Sequence, residues 1–346
     1  MKKIVLTGIR QMETRDVPEP EATQPGDVKI RMTTIGVCGS DVHYYATGRI
    51  GSQVVQYPFA VGHECAGVVE DTGPGVSRVR VGDRVAIDPA MPCWQCDQCR
   101  VDRHHTCRKL RFLGCPGQAE GCLAEKIIMP ETSCFPVSNA ISQDQAALSE
   151  PLSIGVYAVQ QSIPMHGAAV GILGVGPIGL SVLLPARSAG AGSVYVTDPI
   201  EARRRKAVEL GATWTGDPHH QEVVDDIAAA EPPLLDVVFE CCGEQEAIDQ
   251  AVDVLKPGGT LMLIGIPRTS RISFSIDLLR RKEIRIRNVR RQVNCVQSAL
   301  DGIADGTFDV DPMATHHFPF SRTREAFDLV EAYDDGVIKA IIDMEA

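Results

Sequence analysis

Four cysteines, spaced Cys93-x2-Cys96-x2-Cys99-x7-Cys107, constrain this chain more than any other feature. Thiolates this dense in one short loop suit a closed tetrahedral zinc site, in which four sulfur ligands leave no position open for a substrate. The spacing therefore predicts a structural zinc, with Trp94, Asp97 and Arg100 to Asp102 filling out the lobe. The N-terminus, Met1-Lys-Lys-Ile-Val-Leu-Thr-Gly-Ile-Arg10, lacks the long apolar core and small-residue cleavage site of a secretion signal. The rest of the twelve cysteines are accordingly expected as metal ligands or buried thiols rather than disulfides, and the chain is expected to be cytoplasmic.

Length and charge narrow the class further. A chain of 346 residues suits two domains, each with its own core. A net charge of −11 repels phosphate backbones and argues against nucleic-acid binding. The uncharged stretch Gly167 to Ala186 is long enough to suggest a membrane span, but it contains Pro177, Pro185 and glycines at fixed offsets that have another explanation, so no membrane partner is expected.

Up to about residue 150 the chain is rich in Gly, Pro and short β-branched runs such as Val28 to Ile35, Gly67 to Glu70 and Asp83 to Ile87, which predict a compact β-rich domain. From Ala168 the rhythm changes. Short apolar strands at Val170 to Leu173, Ser193 to Thr197, Asp236 to Glu240 and Thr260 to Ile264 alternate with helical stretches at Pro177 to Ala189, Glu201 to Leu210 and Gln245 to Leu255. That alternation predicts a parallel sheet covered on both faces. The rhythm fades after about Arg287, leaving helical patterns at Val296 to Ala304 and Arg322 to Ala332 and a final strand at Lys339 to Asp343.

Gly174-Val-Gly176-Pro-Ile178-Gly179 lies between a predicted strand and a predicted helix. In that setting Gly174 permits the tight turn, Gly176 lets a pyrophosphate approach the backbone, and Gly179 lets the helix lie against the strand with its N-terminus toward the anion. Asp198 ends the next strand, where a carboxylate accepts hydrogen bonds from the adenosine ribose and repels a 2′-phosphate, which favours NAD over NADP. Arg203, Arg204 and Arg205 are the opposing signal, since an arginine there can pair with such a phosphate.

A third set is scattered: Cys38, the pair His63-Glu64, and Glu150 in Ser149-Glu-Pro151. One thiolate, one imidazole and carboxylates make the kind of set that holds a catalytic zinc with one position open, although each residue alone also reads as core.

Taken together and in this order, these motifs resemble the zinc-dependent medium-chain dehydrogenases, specifically their sorbitol/xylitol (polyol) branch. The segments that carry the resemblance are Cys38-Gly-Ser-Asp-Val-His-Tyr44, Gly48-Arg-Ile-Gly51, Gly62-His-Glu64, Glu150-Pro-Leu-Ser-Ile-Gly155 and Gly174 to Gly179.

The resemblance implies an α/β two-domain fold: a GroES-like β-rich catalytic domain over residues 1–155, with 288–346 returning to it, and a Rossmann-type doubly wound parallel sheet over 156–287. It implies two zinc ions per subunit, NAD, a homotetramer, and an L-iditol 2-dehydrogenase-like oxidation of a small polyol or secondary alcohol to a ketone. Cys38, His63 and Glu64 would ligate the catalytic zinc, with Glu150 nearby and Ser40 and His43 in the proton path. Tyr44, Phe59 and Phe112 would shape the substrate site. Gly174, Gly176, Ile178, Gly179, Asp198, Arg203, Ile264 and Ile266 would meet the cofactor.

Zinc with one thiolate and one carboxylate is already neutral, so Glu150 is expected to hydrogen-bond the metal's water and approach the metal only when the open position is vacated. The sequence departs from the branch at Asn288-Val-Arg-Arg-Gln-Val-Asn294, where polyol enzymes typically show Phe-Arg-Tyr, so that either Arg290 or Arg291 takes the substrate-side position. L-threonine dehydrogenase is the alternative within the class, and a zinc-ribbon binding protein the alternative outside it. The pairs His104-His105, His219-His220 and His316-His317 are expected at the surface, and Cys65, Cys115, Cys122, Cys134, Cys241, Cys242 and Cys295 as small core residues.

Overall fold

In the computed structural model, which describes residues 1–345, the chain divides into two units. One comprises Met1–Glu150, Val296–Gly306 and the segment from Val310 onward; the other comprises Pro151–Cys295 with Thr307–Asp309. Ala346, the last residue of the expected returning segment, lies outside the described residues.

The first unit is built on the strand Asp27–Gly36, whose burial alternates at first and is then continuous from Met32 onward. Glu64–Thr72 pairs antiparallel along one edge and continues the sheet through Arg84–Ile87 to Cys134–Pro136. The other edge is shared. Lys126–Pro130 takes the first half of the strand, and Lys339–Asp343 takes Thr34 to Gly36 while pairing in parallel with Ala314–Pro319. Ile30, Met32, Ile35, Val85, Ile87, Leu123, Met129 and Ile342 form the core beneath this sheet. Each contributes about 2 kcal/mol by leaving water. The pairing has one consequence for function: it lays the C-terminal strand beside Gly36-Val37-Cys38.

The second unit holds six parallel strands. In spatial order they are Trp214–Gly216, Ser193–Thr197, Ala169–Leu173, Leu235–Glu240, Leu255–Leu263 and Arg285–Asn288. Numbered along the chain this is 3-2-1-4-5-6, the doubly wound order, with its topological switch point between Ala169–Leu173 and Leu235–Glu240. Val170, Ile172, Val237, Val238 and Phe239 are fully buried, as strands covered on both faces require. The helix Gln143–Gln160 carries the chain from the first unit into the second. Within the second unit Gly155 of that helix touches Ser181 backbone so closely that a Cβ would overlap it, which lets it lie against the helix Pro177–Ser188.

The α/β architecture matches the sequence expectation, and the differences are local. The fifth strand begins at Leu255 rather than Thr260, running through Lys256-Pro-Gly-Gly259, a segment that reads as a turn. The parallel sheet gains two strands beyond the four expected, the short Trp214–Gly216 and, at the point where the rhythm was expected to fade, Arg285–Asn288. All four residues of Arg285–Asn288 are exposed, so hydrophobic patterning carries no trace of it.

Candidate active site

Cys38 stands at the N-cap of the helix Gly39–Thr47, which begins as the central strand of the first unit ends. The helix stops at Gly48, whose φ of 72° makes the left-handed cap. Ser40 Oγ donates to Cys38 Sγ at 3.3 Å, and Tyr44 lies one turn further along the same face. His63 and Glu64 enter from the start of the strand Glu64–Thr72, and both are buried. Ligand atoms of Cys38, His63 and Glu64 all lie within 4.8 Å of one another, close enough for one metal ion to touch all three.

Asp41 organises this group. It is fully buried, and its Oδ1 lies 3.1 Å from the donating Gly62 N–H and 3.3 Å from His63 Nδ1. A carboxylate on one imidazole nitrogen orients the ring and leaves Nε2 for a metal. Burial alone would lower the imidazole's proton affinity, but the charges of Asp41 and Cys38 outweigh it and hold His63 well above its ordinary range. Asp41 Oδ2 has no hydrogen-bond partner among the described residues. A buried cluster with this much negative charge calls for a cation, and the donor set of one sulfur, one nitrogen and one oxygen fits zinc. Asp41→Asn should keep the fold and weaken zinc binding at this group roughly 10- to 100-fold, measured by competition with a chelator.

Glu150 is 5% exposed, and burial is the largest cause that lifts its carboxyl to about 8. Glu64 and Asp88 raise it further, while His63 and Lys339 pull it down, so all four are electrostatic neighbours of Glu150. Phe112 lies against the His63 ring, with centroids 5.4 Å apart. Tyr44 hydroxyl donates to Gln53 Oε1 at 3.1 Å, and Gln53 Nε2 donates to Cys115 Sγ at 2.8 Å, a chain of contacts that holds the phenol in place. His43 is half-buried on the same helix. Phe59 is a core residue whose backbone exchanges hydrogen bonds with Leu6.

The cysteine lobe assembles as its spacing predicts. Cys93, Cys96, Cys99 and Cys107 place their sulfurs within 4.8 Å of one another. Cys96 lies 3.6 Å from Cys99 and 3.9 Å from Cys107, near the edge of about 3.8 Å that four zinc–sulfur bonds give a tetrahedron. Backbone N–H groups of Arg108 and Cys99 bring the Cys96 thiol down to about 6, while burial and the sulfurs of Cys96 and Cys107 push Cys99 up to about 12.

In the second unit the glycine turn has the shape its motif demands. Gly174 adopts φ +85°, and a Cβ on Gly179 would strike the Gly174 carbonyl. Ile178 is half-buried on the first turn of the helix that follows. Asp198 Oδ2 accepts from Val175 N and Oδ1 from Ile200 N, both at 2.9 Å, so the acid is locked against the turn. Arg203 is buried, with its guanidinium beside Gly176, whereas Arg204 pairs with Asp217 and Arg205 with Glu201. Ile264 donates its N–H to the Glu240 carbonyl and is half-buried, and Ile266 is exposed. Arg290 is exposed. Arg291 is half-buried, in a left-handed conformation at φ 56°.

Two expectations fail. His105 is buried in a short 3-10 turn instead of lying at the surface, and Cys242 is exposed beside Gly174 instead of buried. Sequence reading also missed two participants, Asp41 and Lys339. Lys339 Nζ donates to both oxygens of Glu64, at 2.8 and 2.6 Å, and each of the two residues is 1% exposed. A lone lysine within the apolar run Val337 to Ile342 was its available signal, since a fully buried lysine requires a charged partner.

Residues 24–139 match the alcohol dehydrogenase GroES-like domain and residues 177–305 the zinc-binding dehydrogenase domain. Sorbitol dehydrogenase of Bacillus subtilis (strain 168) is 31% identical over 343 residues, covering 99% of this chain and 97% of that protein. L-idonate 5-dehydrogenase of Vitis vinifera is 32% identical over 330 residues, covering 93% of this chain and 89% of its own. A zinc-binding dehydrogenase of Sinorhizobium meliloti 1021, solved with NADP bound, superimposes with a TM-score of 0.90 at 30% identity, covering 99% of this chain and 98% of that one. The chain belongs to the zinc-binding dehydrogenase family, the medium-chain dehydrogenases whose GroES-like domain is followed by a nucleotide-binding one. Among the described residues no helix is long and apolar enough to cross a membrane.

Proposed function

We propose that this protein oxidises a secondary alcohol of a small polyol to the ketose with NAD, using one catalytic and one structural zinc per chain. The observation that carries this reading is the convergence of Cys38, His63 and Glu64 within 4.8 Å. The relatives named for sorbitol and L-idonate support a polyol as the substrate class. Zinc, when bound, supplies the Lewis acidity that favours loss of the alcohol proton, and the nicotinamide accepts the hydride.

The chain's own residues do the rest. Cys38, His63 and Glu64 hold the metal, and Asp41 orients His63. Ser40 and His43, on one helix, carry the alcohol proton outward. Glu150, buried beside His63 and Glu64, is the further carboxyl placed to hand the proton on. Tyr44, held by Gln53, and Phe112 bound the substrate side, and Arg291, the more buried of the two candidate arginines, is assigned to the substrate's far hydroxyls. Cys93, Cys96, Cys99 and Cys107 stabilise their lobe without touching the reaction.

Gly174, Gly176, Ile178 and Gly179 take the pyrophosphate, Asp198 the ribose, Arg203 the adenine side, and Ile264 and Ile266 the nicotinamide. The choice of NAD rests on Asp198 and on the pairing of Arg204 with Asp217 and of Arg205 with Glu201. Asp198→Ala should lower the preference for NAD over NADP roughly a hundredfold by removing one repulsive charge, read from kcat/KM with each cofactor. A cytoplasmic homotetramer is part of the same reading, supported by the exposed edge strand Arg285–Asn288, which offers an unpaired sheet edge to another copy.

The test is NAD reduction against sorbitol, xylitol, galactitol, arabinitols, 2,3-butanediol and L-threonine, with and without a zinc chelator. Chelator-sensitive turnover of a polyol is the expected result. Turnover of threonine alone, or of nothing in the panel, would overturn the substrate class.

A further inference from the structure

We infer that Lys339 is a positioning residue that shares Glu64 with the catalytic metal, weakening the metal's hold on that carboxylate so that a coordination position opens for the substrate. The inference rests on the reading of Cys38, His63 and Glu64 as metal ligands.

Lys339 Nζ reaches three acceptors: both oxygens of Glu64, at 2.8 and 2.6 Å, and the Val37 carbonyl at 3.2 Å. The lysine cannot drift away from that position. Val37 N donates to Ala340 O at 2.9 Å, and Ile341 sits opposite Gly36 in the ladder, so the C-terminal strand is clamped beside Cys38. Room for the pair is built into the backbone: a Cβ on Gly36 would fall 2.6 Å from Glu64 Oε2 and 3.5 Å from Lys339 Cδ. Glu64 nevertheless offers an oxygen within 4.8 Å of the other two ligand atoms. One carboxylate therefore faces two cations.

A buried ion pair is a weak source of stability, because desolvation offsets most of its attraction. Its placement gives it another use. Zinc with Cys38, neutral His63 and Glu64 sums to zero charge. With Glu64 drawn toward Lys339, the metal keeps more of its positive charge for an incoming oxygen, and the ammonium gives the departing carboxylate a partner already in place. The ammonium also repels the zinc ion across this short buried distance. Both effects make zinc binding at this group weaker than its ligands alone would give.

The experiment uses the full chain and measures zinc affinity by competition with a chelator, counting the lobe zinc separately through Cys38→Ser, which keeps only that ion. Lys339→Met and Lys339→Gln should bind the catalytic zinc at least tenfold more tightly than the parent and have a lower kcat, whereas Lys339→Arg should stay near the parent in affinity. Gln keeps an N–H for Glu64 without the charge, so the test stands if the Met variant does not fold. Unchanged or weaker zinc binding in the neutral variants would overturn the inference and leave Lys339 a structural ion pair. A parent chain that holds one zinc, unaltered by Cys38→Ser, would instead remove the metal-site reading itself.

Discussion

Cys38→Ser should leave a folded chain that has lost one of its two zinc ions and at least about a thousandfold in kcat. A thousandfold is roughly 4 kcal/mol of transition-state stabilisation, a modest share of what a Lewis acid at the reacting oxygen supplies. The fold should survive because Cys38 is a half-buried helix cap that makes no side-chain capping bond. Serine takes the same position with a neutral oxygen that is a poor zinc ligand. The remaining groups keep their partners, Glu64 with Lys339 and His63 with Asp41, while the metal loses its one sulfur ligand. Metal analysis and steady-state kinetics on the same sample check both halves. Full activity with two zinc ions would remove Cys38 from the ligand set.

Cys99→Ser should have the opposite profile: a loss of stability first, with catalysis impaired only as far as the lobe's collapse is felt elsewhere. Cys99 is 5% exposed and surrounded by its three partner sulfurs, so its replacement leaves a three-ligand site in a loop with little apolar core of its own. Structural zinc contributes folding free energy directly. A loss of about 3 to 5 kcal/mol is expected, which for a chain of this size corresponds to a fall of roughly 5 °C in Tm. The segment 93–107 should become sensitive to protease at the same time. Calorimetry and limited proteolysis test this, and an unchanged Tm with a full complement of zinc would contradict it.

What could be read from the sequence divides along physical lines. The parallel sheet was legible because strands buried on both faces, such as Val170 to Leu173 and Val237 to Phe239, are apolar without interruption and lie between helices of ordinary length. The cysteine lobe and the glycine turn were legible because their chemistry is local, with all participants within a few residues of one another. The edge strand Arg285–Asn288 left no pattern, since all four of its residues are exposed and none had to be apolar. The Glu64–Lys339 pair is separated by 275 residues and exists only because the C-terminal strand pairs with Asp27–Gly36. Asp41 was within the quoted Cys38 motif, yet its role depends on the helix turning its carboxylate toward His63. The Tyr44–Gln53–Cys115 chain likewise joins a helix, a short strand and a turn that spacing does not relate.

The central claim is hydride transfer from a secondary carbinol carbon to NAD, dependent on the Cys38–His63–Glu64 group. Its most direct test is to oxidise a polyol deuterated at the secondary carbon, with native, chelated and zinc-restored protein, and to assay the reduced nicotinamide for deuterium by mass spectrometry. The account predicts deuterium on the nicotinamide ring with native protein, none after chelation, and its return when zinc is restored. Reduced cofactor without deuterium, or deuterium transfer that survives complete loss of the catalytic zinc, would contradict it.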